Sequence, residues 1–222
     1  MLGLFLDSLW NEPHQFVYVV VTVVFSVTLH ELAHGYLALR LGDPTPKQSG
    51  HWTWNPMVHM GGPSLVMLLL FGVAFGAMPV DPTRLRGRWA EAAVAAAGPL
   101  TNLLLAALAA SVLGGWQLAS GGETDTVMQE NLRQFLYVFA VVNLALAMFN
   151  MLPLPPFDGA HVLGGFVPRY RRWLQSVRDP RIFLGVLVLV FLCVGQIEGG
   201  ITAPAVAGVN GYLGWIYSLA GR

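Results

Sequence analysis

His30-Glu31-Leu32-Ala33-His34 sets two imidazoles four residues apart with a carboxylate beside the first. Residues four apart share one face of a helix, so both rings can reach one metal ion while Glu31 projects toward an attacking water. In a soluble protein this pattern points to zinc-dependent peptide hydrolysis. Here it sits deep in an apolar run, residues 15–41, long enough to cross a bilayer. Ionisable groups inside a span are costly and mark function by default. The plainer reading is a pair of interfacial histidines with Glu31 near a helix end.

Two histidines are not a complete catalytic zinc site, which normally has three protein ligands and an open position. The remaining candidates are His51, His59, Asp81, Glu91, Asp158 and His161. Asp158 stands out because Pro153, Pro155 and Pro156 precede it, and that run cannot continue a helix. The break would aim a carboxylate back at the first helix, and Gly159 permits a tight turn. An ordinary Asp-Gly turn at a membrane exit is equally open on this chemistry alone.

The elements that must position these groups follow from composition. The chain has 222 residues, 55% hydrophobic and 11% charged, against roughly 25% charged in soluble domains. Mean hydropathy is +0.59. These values predict an all-α polytopic membrane protein, residues 1–222 forming one membrane-embedded domain with its core over about 15–165. Formal net charge is zero, which gives no basis for nucleic-acid binding. The single cysteine, Cys193, excludes an intramolecular disulfide and a CxxC metal site. Asp7 and Glu12 without Lys or Arg in the first dozen residues are unlike a cleaved signal peptide, so the N-terminus reads as mature.

Spans are expected at about 15–41, 89–113, 132–153, 181–197 and 201–219. The apolar segment 62–80 reads as re-entrant. If it returns to its starting face, Arg40, Lys47, Arg84, Arg86, Arg88, Arg169, Arg171, Arg172, Arg178, Arg181 and Arg222 share one side. That leaves only Arg133 of the 12 basic residues opposite. The arginine-rich side is then cytoplasmic, with the N-terminus outside and the C-terminus inside. His30 and His34 precede Arg40 by ten and six residues. At about 1.5 Å per residue the metal would lie roughly 9–15 Å below the cytoplasmic surface. A second expectation is a short β-strand or hairpin around 50–55, where polar and aromatic residues alternate. Its edge could pair with an unwound substrate. The alternative there is an interfacial loop anchored by Trp52 and Trp54.

HELAH on a membrane helix, followed by FNMLPLPPFDG at 149–159, resembles the site-2 protease family of intramembrane zinc metalloproteases. TWNPMVHMGGPS, AAAGPLTNLLLA and VNLALAMFN resemble further pieces of that family's pattern, in its order, over about 25–165. The resemblance implies one Zn2+ per chain held by His30, His34 and Asp158, with Glu31 as general base and Asn150 near the oxyanion. The implied partners are the lipid bilayer and a membrane-spanning protein substrate. Compactness and the lack of a targeting segment place this multi-pass chain in a prokaryotic cytoplasmic membrane, with an organelle membrane as the alternative, and charge placement sets the active site toward the cytoplasm. Gly76-Ala77-Met78-Pro79-Val80 and Asp158-Gly159-Ala160-His161 depart from the usual motifs, which bears on substrate selection and local packing. Neither a PDZ-like insertion nor a CBS-like tail is evident. Before the resemblance, an interhelical hydrogen bond is as good a reading of Asn150 as an oxyanion donor. The same plain reading is preferred for Asn143, and Asn102 could support the site without an assigned step. The rival functions are a metal-binding membrane transporter and a non-catalytic scaffold. Paired repeats with matching broken helices, which transport would favour, are not seen.

Overall fold

Long apolar runs leave the backbone no economical choice in a bilayer except the helix, which satisfies its own amides. The structure, a computed structural model, describes residues 5–121, 126–176, 185 and 201–221. Among them it is all-helical. The helices are α1 (Ser8–Asn11), α2 (Pro13–Arg40), α3 (Thr45–Gln48), α4 (Pro56–Phe71), α5 (Ala90–Ala119), α6 (Val127–Asn150), α7 (Asp158–Phe166), α8 (Pro168–Ser176) and α9 (Ala203–Leu219). Three of them, α2, α5 and α6, are long and apolar enough to cross a membrane.

Local chemistry sets the ends. Pro13 opens α2, where its fixed φ suits the first turn. A reciprocal capping box between Thr126 and Gln129 opens α6, five residues before the expected start at 132. α6 stops at Asn150, before the prolines that cannot extend it. Helix α5 runs through Pro99. The Thr101 hydroxyl donates to the Ala97 carbonyl beside that break, at 2.9 Å.

Helices α2, α5 and α6 pack on one another, with α7 against α5 and α9 against α5 and α6. Ala109, Leu113, Ala140, Val141, Val209 and Leu213 form the core between α5, α6 and α9. Residues 201–219, expected to span, carry the 17-residue α9, which is shorter than α2, α5 and α6 and is not among the helices long and apolar enough to cross. The expected span at 181–197 lies outside the described residues, apart from Gly185.

Between α2 and α5 the chain leaves the C-terminal end of α2 and returns to it. The Arg86 amide donates to the Leu41 carbonyl at 2.8 Å. Helix α4 is kinked at Gly61, whose φ of 66° favours glycine, and ends at Gly72. Residues 73–82 then run back along α2 as an extended strap. Ser64 holds the strap by both groups of one residue: Oγ donates to the Phe75 carbonyl at 2.7 Å and accepts the Phe75 amide at 2.9 Å. The Ala77 amide donates to the His59 carbonyl at 2.9 Å, and the Asp81 amide to Asp43 Oδ2 at 2.8 Å.

The strand expected at 50–55 is not formed, and no strand occurs among the described residues. Local bonds consume the groups a ladder would need. The Thr53 carbonyl accepts the His59 Nε2 proton at 2.7 Å, the Thr53 amide turns back to the His51 carbonyl, and Asn55 caps α4. The alternation of polar and aromatic residues there reflects an irregular loop with Trp54 exposed.

Candidate metal centre

The face of α2 that carries His30 and His34 is turned inward. His30, Glu31 and His34 are only 6%, 6% and 7% exposed. The prolines after α6 redirect the chain, and α7 begins at Asp158 with its carboxylate facing both rings. Asp158 Oδ2 lies 3.0 Å from His30 Nε2, and Oδ1 lies 3.4 Å from His34 Nε2. All three ligating atoms fall within 4.8 Å of one another.

These contacts are what a cation between the groups would require. His34 Nδ1 donates to the Val94 carbonyl at 2.7 Å, and His30 Nδ1 faces Asn102 Oδ1 at 2.5 Å. Each neutral ring therefore presents a bare lone pair on Nε2, and the carboxylate adds two more acceptors. Nothing in that set donates unless the rings take up extra protons in a buried site. Zinc–ligand bonds of about 2.0–2.2 Å at tetrahedral angles set ligand atoms about 3.3–3.6 Å apart, close to the separations seen. Gly98 of α5 backs onto the same point, where a Cβ would overlap Nε2 of both His30 and His34. The donor set, its spacing and the glycine cradle all fit one zinc ion.

Glu31 lies against the backbone of Gly76 in the strap, where a Cβ would overlap its carboxylate. It opens with His30, His34 and Asp158 onto a cavity of about 650 Å³. Asn150 lines the same cavity, its Nδ2 donating to the Leu146 carbonyl at 3.0 Å. Thus all five site residues singled out from sequence border one space.

The other five candidate ligands stay apart from the cluster. His59 is bound to Thr53, and its ring meets that of His51 edge-on at 6.4 Å. Asp81 accepts from Thr83 and pairs with Arg84. Glu91 lines the cavity but is paired with His161 Nδ1 at 3.3 Å and Arg171 Nη2 at 2.8 Å.

Sequence reasoning left the surroundings of the rings largely unread. Asn102 was the one partner with a visible signal, a polar residue in an apolar run. The Val94 carbonyl and the Gly98 cradle leave no side-chain signature. Asn143, expected to bridge helices, does so by accepting from Asn102 Nδ2 at 3.0 Å.

A family model described as Peptidase family M50 matches residues 18–194. The relatives include putative zinc metalloproteases. YwhC of Bacillus subtilis is 35% identical, covering 81% of this chain and 82% of its own. Rip2 of Mycolicibacterium smegmatis is 31% identical, covering 81% of this chain and 67% of its own. Zinc metalloprotease MJ0392 of Methanocaldococcus jannaschii is 23% identical over 86% of this chain and 46% of its own. No solved structure matches the chain.

Proposed function

The chain belongs to peptidase family M50, the site-2 proteases, and is a zinc metalloprotease with apolar membrane-spanning helices; from that premise we propose that it cuts a peptide bond in or beside the transmembrane segment of a protein substrate. His30, His34 and Asp158 hold the zinc, Glu31 is the general base and Asn150 assists at the oxyanion. The observation that carries this reading is the convergence of two imidazole lone pairs and a carboxylate beside Glu31 in one buried cavity.

Bound zinc supplies Lewis-acid activation of the scissile carbonyl and of a water molecule. Glu31 accepts the proton of that water as its oxygen attacks the carbonyl carbon, then delivers the proton to the amine as the C–N bond breaks. Asn150 Nδ2, turned from the Leu146 carbonyl toward the cavity, donates to the developing oxyanion. The strap excludes bulk water from Glu31, and its only side-chain-free position, Gly76, is the one that touches the carboxylate.

The whole chain, 1–222, acts as one membrane-embedded domain in a prokaryotic cytoplasmic membrane. Its arginine-rich side faces the cytoplasm, and the centre lies nearer that side. The return of residue 86 to the end of α2 supports a re-entrant 62–80, which keeps Arg84, Arg86 and Arg88 on the face of Arg40. The test is cleavage of a single-span substrate in detergent, with the cut located by mass spectrometry. The expected cut lies within the span or at its cytoplasmic edge, is stopped by a chelator and returns with zinc. A cut far from the span, or one indifferent to the chelator, contradicts the proposal.

A further inference from the structure

A ladder of two buried amides runs away from the metal centre. Asn102 on α5 and Asn143 on α6 are both fully buried. His30 Nδ1 meets Asn102 Oδ1 at 2.5 Å, Asn102 Nδ2 meets Asn143 Oδ1 at 3.0 Å, and Asn143 Nδ2 meets the Phe139 carbonyl at 2.9 Å. The ladder spans three helices and ends on a main-chain group.

Its polarity is fixed from that end. A backbone carbonyl can only accept, so the side of Asn143 that faces Phe139 must be its NH2. The oxygen of Asn143 then faces Asn102, which must answer with its own NH2. The oxygen of Asn102 is left for His30, so Nδ1 must carry the proton and Nε2 must be bare. The reverse orientation of Asn102 would aim an NH2 at Nδ1. That arrangement favours the proton on Nε2, and a protonated Nε2 cannot bind a metal. Asn102 alone is an ambivalent partner, because an amide offers either face. His34 needs no such device, since its Nδ1 bonds directly to the Val94 carbonyl.

We propose that Asn143 is a positioning residue for the metal centre, which relays the polarity of the Phe139 carbonyl through Asn102 and so locks His30 in the tautomer that binds zinc. This rests on the zinc-protease reading above. It predicts a role for a residue about two side chains from the metal and on a different helix from every ligand.

The polarity role separates from simple packing in a double-mutant cycle read by zinc affinity. The full chain in detergent is titrated against a competing chelator. Asn143→Leu removes the relay and should weaken zinc binding on the order of tenfold, as outer-shell changes do. Asn102→Asp puts a carboxylate beside His30, which accepts from Nδ1 in either orientation. In that background the relay is redundant, and Asn143→Leu should change zinc affinity less than about twofold. Equal losses in both backgrounds would mean that Asn143 only packs α5 against α6, and would overturn the proposal. So would native zinc affinity in Asn143→Leu alone. If Asn143→Leu does not insert, Asn143→Ala in the same cycle is judged by the same two criteria. A native protein that binds no zinc would instead sink the zinc-protease reading itself.

Discussion

Gly98 carries the strictest steric demand at the site. Its missing side chain leaves the space where Nε2 of His30 and His34 converge. Neither ring can retreat, because Asn102 and the Val94 carbonyl hold their other nitrogens. Gly98→Ala should therefore abolish stoichiometric zinc while leaving the helical content of the purified protein unchanged. Metal analysis beside circular dichroism checks this; a zinc-replete alanine variant would show that the cradle is not as tight as drawn. The same position marks the limit of what could be read from the chain. His30, Glu31 and His34 were legible because their spacing matches the helical period. The prolines before Asp158 marked a break there but left an ordinary turn equally open, and only the family resemblance singled out its carboxylate. The Gly98 requirement and the Val94 carbonyl are backbone properties, set only when α5 docks on α2, and no local pattern reveals them.

The strap at 73–82 is the element that closes the cavity over Glu31, and three attachments hold it. Ser64 is the central one. Ser64→Ala removes the partner of both polar groups of Phe75, at a cost of about 0.5–1.5 kcal/mol for each half-buried hydrogen bond lost. We expect a lower thermal midpoint and faster proteolytic nicking after residue 72, with zinc still bound. An unchanged nicking rate would mean that other contacts fix the strap. Asp43 ties its far end. Burial alone would raise the Asp43 pKa, but protons donated by Thr45 and the Asp81 amide hold it below the usual carboxylate value. A lowered folded pKa stabilises above the unfolded value of about 3.9 and is lost as pH falls through the folded one. The native protein should thus lose stability below about pH 4 more steeply than Asp43→Asn, by thermal unfolding between about pH 7 and about pH 3. Parallel curves would remove Asp43 from the account. At this scale the sequence was legible where periodicity was long, as in α2, α5 and α6. It misled at 50–55, where an alternating pattern mimics a strand but side-chain bonds from His59 and Asn55 settle the loop.

The whole molecule is arranged around the distribution of charge and of apolar length. Among the described residues, three helices long and apolar enough to cross a membrane surround the centre, and the chain between α2 and α5 begins and ends at one end of α2. If the arginine-rich side faces the cytoplasm, as proposed, the start of α6 faces out. Met128 is exposed there, and Cys193 is the chain's single cysteine. A Met128→Cys, Cys193→Ser protein in intact cells should react with an impermeant thiol reagent added outside; labelling only after the inner face is opened would reverse the orientation. The overall class was legible because composition alone separates membrane from soluble chains. The path of the strap was not, since it depends on hydrogen bonds between residues such as Asp43 and Asp81 that lie 38 positions apart. The His30, His34 and Asp158 cluster is proposed to hold zinc, with Glu31 as the base for hydrolysis. The most direct test compares the native protein with Glu31→Gln in detergent, measuring bound zinc and cleavage of a panel of single-span substrates. One zinc per chain is expected in both proteins, with cleavage by the native protein alone. Native protein without zinc, or equal cleavage by Glu31→Gln, would contradict it.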